Sequence, residues 1–147
     1  MRGHHTSIRT ANIHRAIDFY QTLGFEVQER FTTGYTLACW MMGTAGRLEL
    51  IQIPQPAPAP DAFGDEHYVG YYHLSFDLTE ELGAGQSLST WLQSLGDRLA
   101  QLDLPLKILL SPTLQIIGDR CYQVAFLADP DGLPLEFLQD VGPAQSN

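Results

Sequence analysis

The sequence predicts an α+β fold assembled from two copies of a strand-helix-strand-strand-strand (βαβββ) unit. Three observations carry this. An amphipathic helix pattern follows a short strand near the N-terminus, and the same order returns after a proline-rich break. Each helix is followed by three strand-like runs separated by turn residues. The first and last strands of the two halves also share residue patterns.

Taken in order, His5 to Thr10 reads as the first strand. Asn12 is a helix N-cap, and Ile13, Ile17 and Tyr20, widened by Ala16 and Leu23, form an apolar stripe up to a terminating Gly24, which predicts a helix near residues 12 to 23. Phe25 to Phe31, Tyr35 to Met42 and Arg47 to Ile53 read as an antiparallel meander, broken by Thr33-Gly34 and by Gly43 to Gly46. Residues 54 to 64 alternate proline and alanine, which suits neither a helix nor a central strand, so an extended linker is expected over about 54–70. Beyond it, Tyr71 to Leu78 reads as a strand. Leu88, Trp91, Leu92, Leu95, Leu99 and Leu102 mark a helix from Ser87 to Leu102. Leu106 to Leu110, Arg120 to Leu127 and Leu133 to Leu138 read as strands, the last after the tight turn Ala128 to Gly132. One domain is expected over 1–147, with a first module over about 4–54 and a second over about 71–140.

With 44% hydrophobic and 17% charged residues, the chain has the composition of a globular protein. A formal net charge of -9 argues against nucleic acid and anionic membranes as partners. Cys39 and Cys121 form no CxxC pair, so neither a zinc ribbon nor a redox motif is present. The N-terminus lacks the apolar core of a signal peptide, and no apolar run reaches about 18 residues. The expectation is a soluble, cytoplasmic protein acting on a small molecule.

The first strands of the two halves read His5-Thr6-Ser7-Ile8 and His73-Leu74-Ser75-Phe76, and the last read Leu48-Glu49-Leu50-Ile51 and Leu135-Glu136-Phe137-Leu138. The His-to-Glu interval is longer in the second half, the excess being expected in the Glu80 to Ser87 loop, the longer helix and a Ser111 to Gly118 connection. Side chains alternate across a strand, so Leu48, Leu50, Leu135 and Phe137 turn to a helix-covered face while the glutamates turn to the other. Two imidazoles and two carboxylates, with no thiolate, form a ligand set for a divalent ion such as Ni, Co, Zn, Mn or Fe. The metal ligands expected are therefore His5, Glu49, His73 and Glu136. His4 has the opposite strand parity to His5 and is the weaker ligand candidate; His14 and His67 read as helix-surface and linker residues.

The chain resembles the vicinal oxygen chelate group, the glyoxalase, bleomycin-resistance and extradiol-dioxygenase superfamily. The resemblance runs from His5 to about Gln139 and is carried by Ala16-Ile-Asp-Phe-Tyr-x-x-Leu-Gly-Phe25 and Asp129-Pro-Asp-Gly-Leu-Pro-Leu-Glu136. It implies a curved mixed sheet around a metal cavity, and a homodimer. It also implies a ligand pattern closest to bacterial glyoxalase I, because extradiol dioxygenases would match only His5, His73 and Glu136. Glu49 is the residue that separates the two. The chemistry implied is that of a lactoylglutathione lyase-like lyase or isomerase acting on a hemithioacetal or related vicinal-oxygen substrate. Glu136 would be the leading general base, assisted by Glu49. Arg9, on the His5 face of its strand, matches a substrate-binding arginine. The alternatives are an extradiol-type dioxygenase or other metal-dependent oxygenase, and a non-catalytic small-molecule binder. One departure concerns the thiol: Ile53 stands where glyoxalase I carries a polar residue, and Ser111 to Gly118 contains no Lys or Arg. This implies that the metal set is kept while the substrate differs.

Overall fold

The computed structural model describes residues 1–145. Two βαβββ modules follow one another along the chain. The first contains β1 (Thr6–Thr10), α1 (Ile13–Thr22), β2 (Glu26–Thr33), β3 (Thr36–Gly43) and β4 (Gly46–Gln52). The second contains β5 (Leu74–Asp77), a short α2 (Thr79–Leu82), α3 (Leu88–Ala100), β6 (Lys107–Ile117), β7 (Arg120–Ala128) and β8 (Pro134–Pro143). The sheet is realised as two four-stranded sheets of identical design, β1-β4-β3-β2 and β5-β8-β7-β6. In each, the outer pair β1/β4 or β5/β8 is parallel and the other pairings are antiparallel.

The helices start where their caps dictate. The Asn12 side chain accepts from the Arg15 N–H, and the Ser87 hydroxyl accepts from the Thr90 N–H. Gly24 follows α1 at a φ of 101°, a conformation open to glycine and costly for other residues. The apolar stripes of α1 and α3 pack with Leu48, Leu50, Leu135 and Phe137 into one continuous core shared by both modules. Arg98 of α3 ties the helices together by donating to the Thr22 carbonyl at 2.9 Å, at the C-terminal end of α1.

Three expectations are corrected. The strand expected over Tyr71 to Leu78 is shorter, because its parallel partner begins only at Pro134 and offers no ladder partner before Leu74. The connection expected over Ser111 to Gly118 is instead, up to Ile117, the second half of the long strand β6. Pro112 is tolerated there because it falls in a ladder irregularity between Leu110 and Thr113, where no N–H is demanded of it. Finally, α2 was not expected: it is a single turn, and no side chain caps it from Leu78.

The second module is keyed to the first. Asp129, buried in the β7–β8 turn, accepts from the Tyr20 hydroxyl at 2.8 Å and from the Asp131 and Leu133 N–H groups. Its neighbour Asp131 accepts from the Thr10 hydroxyl at 2.6 Å and from the Ala11 N–H at 3.0 Å. The two motifs that carry the family resemblance, one in α1 and one in this turn, thus touch each other.

Candidate metal half-sites

The parallel pairing of each outer strand fixes the candidate site. Ser7 lies opposite Glu49, and Ser75 lies opposite Glu136. Each histidine stands two residues before its serine, so imidazole, hydroxyl and carboxylate fall on the same face. The opposite face is closed by the core, with Leu48, Leu50, Leu135 and Phe137 all buried.

In the first module, His5 Nε2 lies 3.4 Å from Glu49 Oε1, which also accepts from the Ser7 hydroxyl at 2.9 Å. In the second, His73 Nε2 lies 3.6 Å from Glu136 Oε1, which accepts from the Ser75 hydroxyl at 2.6 Å. Side-chain exposures of 14% for Glu49 and 17% for Glu136 leave both side chains partly reachable from solvent. Both histidines sit just ahead of their ladders, on segments free of regular pairing. The structure therefore brings His5 to Glu49 and His73 to Glu136. Among the described residues, no three His, Cys, Asp or Glu side chains gather to hold one ion, so a single chain does not draw the four together into one group.

Surroundings differ between the halves. Around His5 stand His4, whose Nδ1 lies 2.8 Å from that of His5, and Trp40 of β3. The Trp40 indole N–H, and after it the Ser7 hydroxyl, hold the Glu49 carboxyl below the ordinary carboxylate range, against partial burial, which pushes it up. Around His73 stand Tyr72 and Phe126, with ring centroids at 4.4 and 5.0 Å. Phe63 of the linker packs on Phe126 at 5.3 Å. The linker folds back here to bound a cavity of about 210 Å³ with Phe63, Asp65, Glu66, Tyr68 and Tyr72.

Arg9 is exposed, on the Glu49 face of β1 beside Ile51, and makes no ion pair among the described residues. His14 and His67 are exposed and apart from both pairs, His67 facing Glu66 at 3.7 Å. Cys39 and Cys121 are free. Sequence reasoning gave no role to Ser7, Ser75 or Trp40. The serines were signalled by the repeated His-x-Ser, and Trp40 by its place opposite Glu49 in the β3–β4 hairpin.

The family model described as the Glyoxalase/Bleomycin resistance protein/Dioxygenase superfamily matches residues 2–137. The chain belongs to that superfamily. This glyoxalase-superfamily chain is similar in fold to solved members. A glyoxalase family protein from Enterococcus faecalis has 21% identity and a TM-score of 0.65, with 94% of this chain and 97% of that one covered. A glyoxalase family protein from Bacillus cereus has 16% identity and a TM-score of 0.66, covering 97% and 95%. The trypanothione-dependent glyoxalase I of Leishmania major has 21% identity and a TM-score of 0.58, covering 95% and 86%. No curated protein matches the chain. No helix among the described residues is long and apolar enough to cross a membrane.

Proposed function

We propose that this superfamily member is a divalent-metal-dependent lyase or isomerase of the glyoxalase type, acting on a hemithioacetal or related vicinal-oxygen substrate. The observation that carries the reading is the repeated His-Ser-Glu arrangement, with imidazole and carboxylate 3.4 and 3.6 Å apart in the two modules. His5, Glu49, His73 and Glu136 would hold the ion, and two nitrogen and two carboxylate donors suit Ni, Co, Zn, Mn or Fe. We take the complete set to form in a homodimer, where the His5–Glu49 pair of one protomer meets the His73–Glu136 pair of its partner. The supporting observation is that each pair is partly exposed and neither gains a third donor among the described residues. The chemistry an ion held there would supply is polarisation of a chelated carbonyl and stabilisation of the negative charge developing on it.

The chain's own residues supply the proton chemistry. Glu136 takes the proton from the hydroxyl-bearing carbon next to the carbonyl and returns it to the carbonyl carbon, while the hydroxyl proton passes to the former carbonyl oxygen, so that a hemithioacetal becomes a 2-hydroxy thioester. Ser75 directs the Glu136 carboxylate by holding Oε1, and Glu49, similarly held by Ser7, assists from the other half-site as a ligand that stays in place. Arg9, on the same face as Glu49, would anchor an anionic group of the substrate. The thiol carrier is proposed to differ from glutathione. No lysine or arginine occurs between Arg47 and Arg98, so the linker and its cavity offer carboxylates and aromatic rings to a ligand where an anionic tripeptide would need cations.

The test is metal analysis of purified wild type beside His73→Ala, followed by an assay of thioester formation from methylglyoxal with glutathione and with an uncharged thiol. Stoichiometric metal in wild type, its loss in the variant, and turnover with a thiol are expected. Equal metal in both proteins would remove the ligand assignment, and metal without turnover would reject the glyoxalase chemistry.

A further inference from the structure

The pseudo-repeat that duplicates His, Ser and Glu is broken at one position. On the strand paired with each glutamate, the residue directly opposite is Trp40 for Glu49 and Phe126 for Glu136. The Trp40 indole N–H donates to Glu49 Oε2 at 2.9 Å while Ser7 donates to Oε1, so both carboxylate oxygens of Glu49 are engaged. Phenylalanine has no donor, and among the described residues Glu136 is held only through Oε1, by Ser75. The indole is itself immobilised. The Arg47 guanidinium lies 5.5 Å over its ring, and Phe31 and His4 meet it edge-on at 5.4 and 5.0 Å. Arg47 is held in turn by donating to Gln28 Oε1 at 2.8 Å and to the His4 carbonyl at 3.1 Å.

We propose that Trp40 is a positioning residue that makes the two half-sites unequal: it locks Glu49 as a fixed ligand, while Glu136, opposite the donor-free Phe126, keeps the freedom to swing. The inference rests on the metal-dependent reading above. A carboxylate that must leave its ligand position to carry a proton cannot also be clamped at both oxygens, and one that stays as a ligand gains from being clamped. The break in symmetry therefore assigns the two tasks, and the base falls to Glu136 by its surroundings.

The experiment titrates Ni²⁺ into wild type, Trp40→Phe and His73→Ala by competition with a chromogenic chelator, with circular dichroism to verify folding. In parallel, the indole N–H resonances of Trp40 and Trp91 are followed in wild type and Glu49→Gln. Trp40→Phe keeps an aromatic ring but removes the donor, and its Ni²⁺ affinity is expected to fall about 10- to 100-fold. In Glu49→Gln the Trp40 indole proton is expected to shift upfield and exchange faster with water while that of Trp91, in the core, stays put; an indole that does not hold Glu49 would show neither change. Unchanged Ni²⁺ affinity in Trp40→Phe, with His73→Ala still defective, would overturn the positioning role alone. Absence of Ni²⁺ binding by wild type would overturn the metal reading and this inference with it. Should Trp40→Phe not fold, the resonance comparison decides: an indole proton indifferent to Glu49→Gln overturns the proposal.

Discussion

Glu136 and Glu49 each have a serine and a histidine beside them at equivalent strand positions, yet among the described residues only Glu49 has a donor on its second oxygen. A residue-level experiment should separate them. Glu136→Gln preserves shape and the Ser75 contact but removes the base, and kcat for thioester formation is expected to fall by about 10²- to 10⁴-fold in a protein with wild-type melting behaviour. Ser75→Ala should lower kcat less, by about 10-fold, because the base remains and only its orientation is loosened. The glutamates were legible in the sequence, since each interrupts an apolar run that must face a helix. The serines were visible as a repeat without a role, because a donor's partner depends on which strand lies beside it, and the β1/β4 and β5/β8 pairings are parallel contacts between distant segments. Trp40 lies nine residues from Glu49 in a hairpin, but its donor finds the carboxylate only because the two residues fall directly opposite in register.

At the scale of elements, the Tyr20–Asp129 contact joins α1 to the β7–β8 turn and so one module to the other. Burial, followed by the nearby Asp129 carboxylate, pushes the Tyr20 phenol well above its ordinary value. Burial likewise pushes the Asp129 carboxyl up, against the Leu133 N–H and Tyr20 hydroxyl that hold it down. For Tyr20 the folded chain holds its proton more tightly than the unfolded chain. Its contribution is therefore fully present below about pH 10, where an unfolded tyrosine ionises, and is lost as pH rises through the higher folded value. Tyr20→Phe should cost about 1–3 kcal/mol at neutral pH, because Asp129 stays buried with one partner fewer. It should also flatten the alkaline limb of a plot of melting temperature against pH. An alkaline limb as steep as that of wild type would assign the alkaline loss to other groups. Element boundaries were legible where a cap or glycine marks them, as at Asn12, Ser87 and Gly24. They were not legible where the partner strand decides: the start of β5 is set by Pro134, and the continuation of β6 past Pro112 is set by an irregularity in its pairing with β7.

For the whole molecule, the homodimer reading makes a prediction about mixtures. His5→Ala and His73→Ala are each expected to lack metal. If a site draws one pair from each protomer, a heterodimer of the two variants carries one site with both histidines replaced and one fully intact. Co-refolding equal amounts should then restore about one quarter of the wild-type metal content and activity, by random pairing of protomers. A site built within one chain would give no recovery. The duplicated architecture was the most legible feature of the sequence, because strand and helix periods and the recurring His-x-Ser and Leu-Glu patterns are local. The proposed meeting of the two pairs would depend on surfaces between protomers, and no local pattern encodes it.

The far end of the β6–β7 hairpin shows Leu114, Ile116 and Ile117 to water at 59%, 68% and 55% of their surface. An apolar strand tip of this kind invites sideways association with any similar edge. At neutral pH a formal charge of -9 keeps molecules apart, but near the sequence pI of about 4.7 that repulsion disappears. Turbidity should therefore peak close to that pH and subside in Ile116→Lys, so the hairpin tip would set the acid end of the range over which the protein stays dispersed.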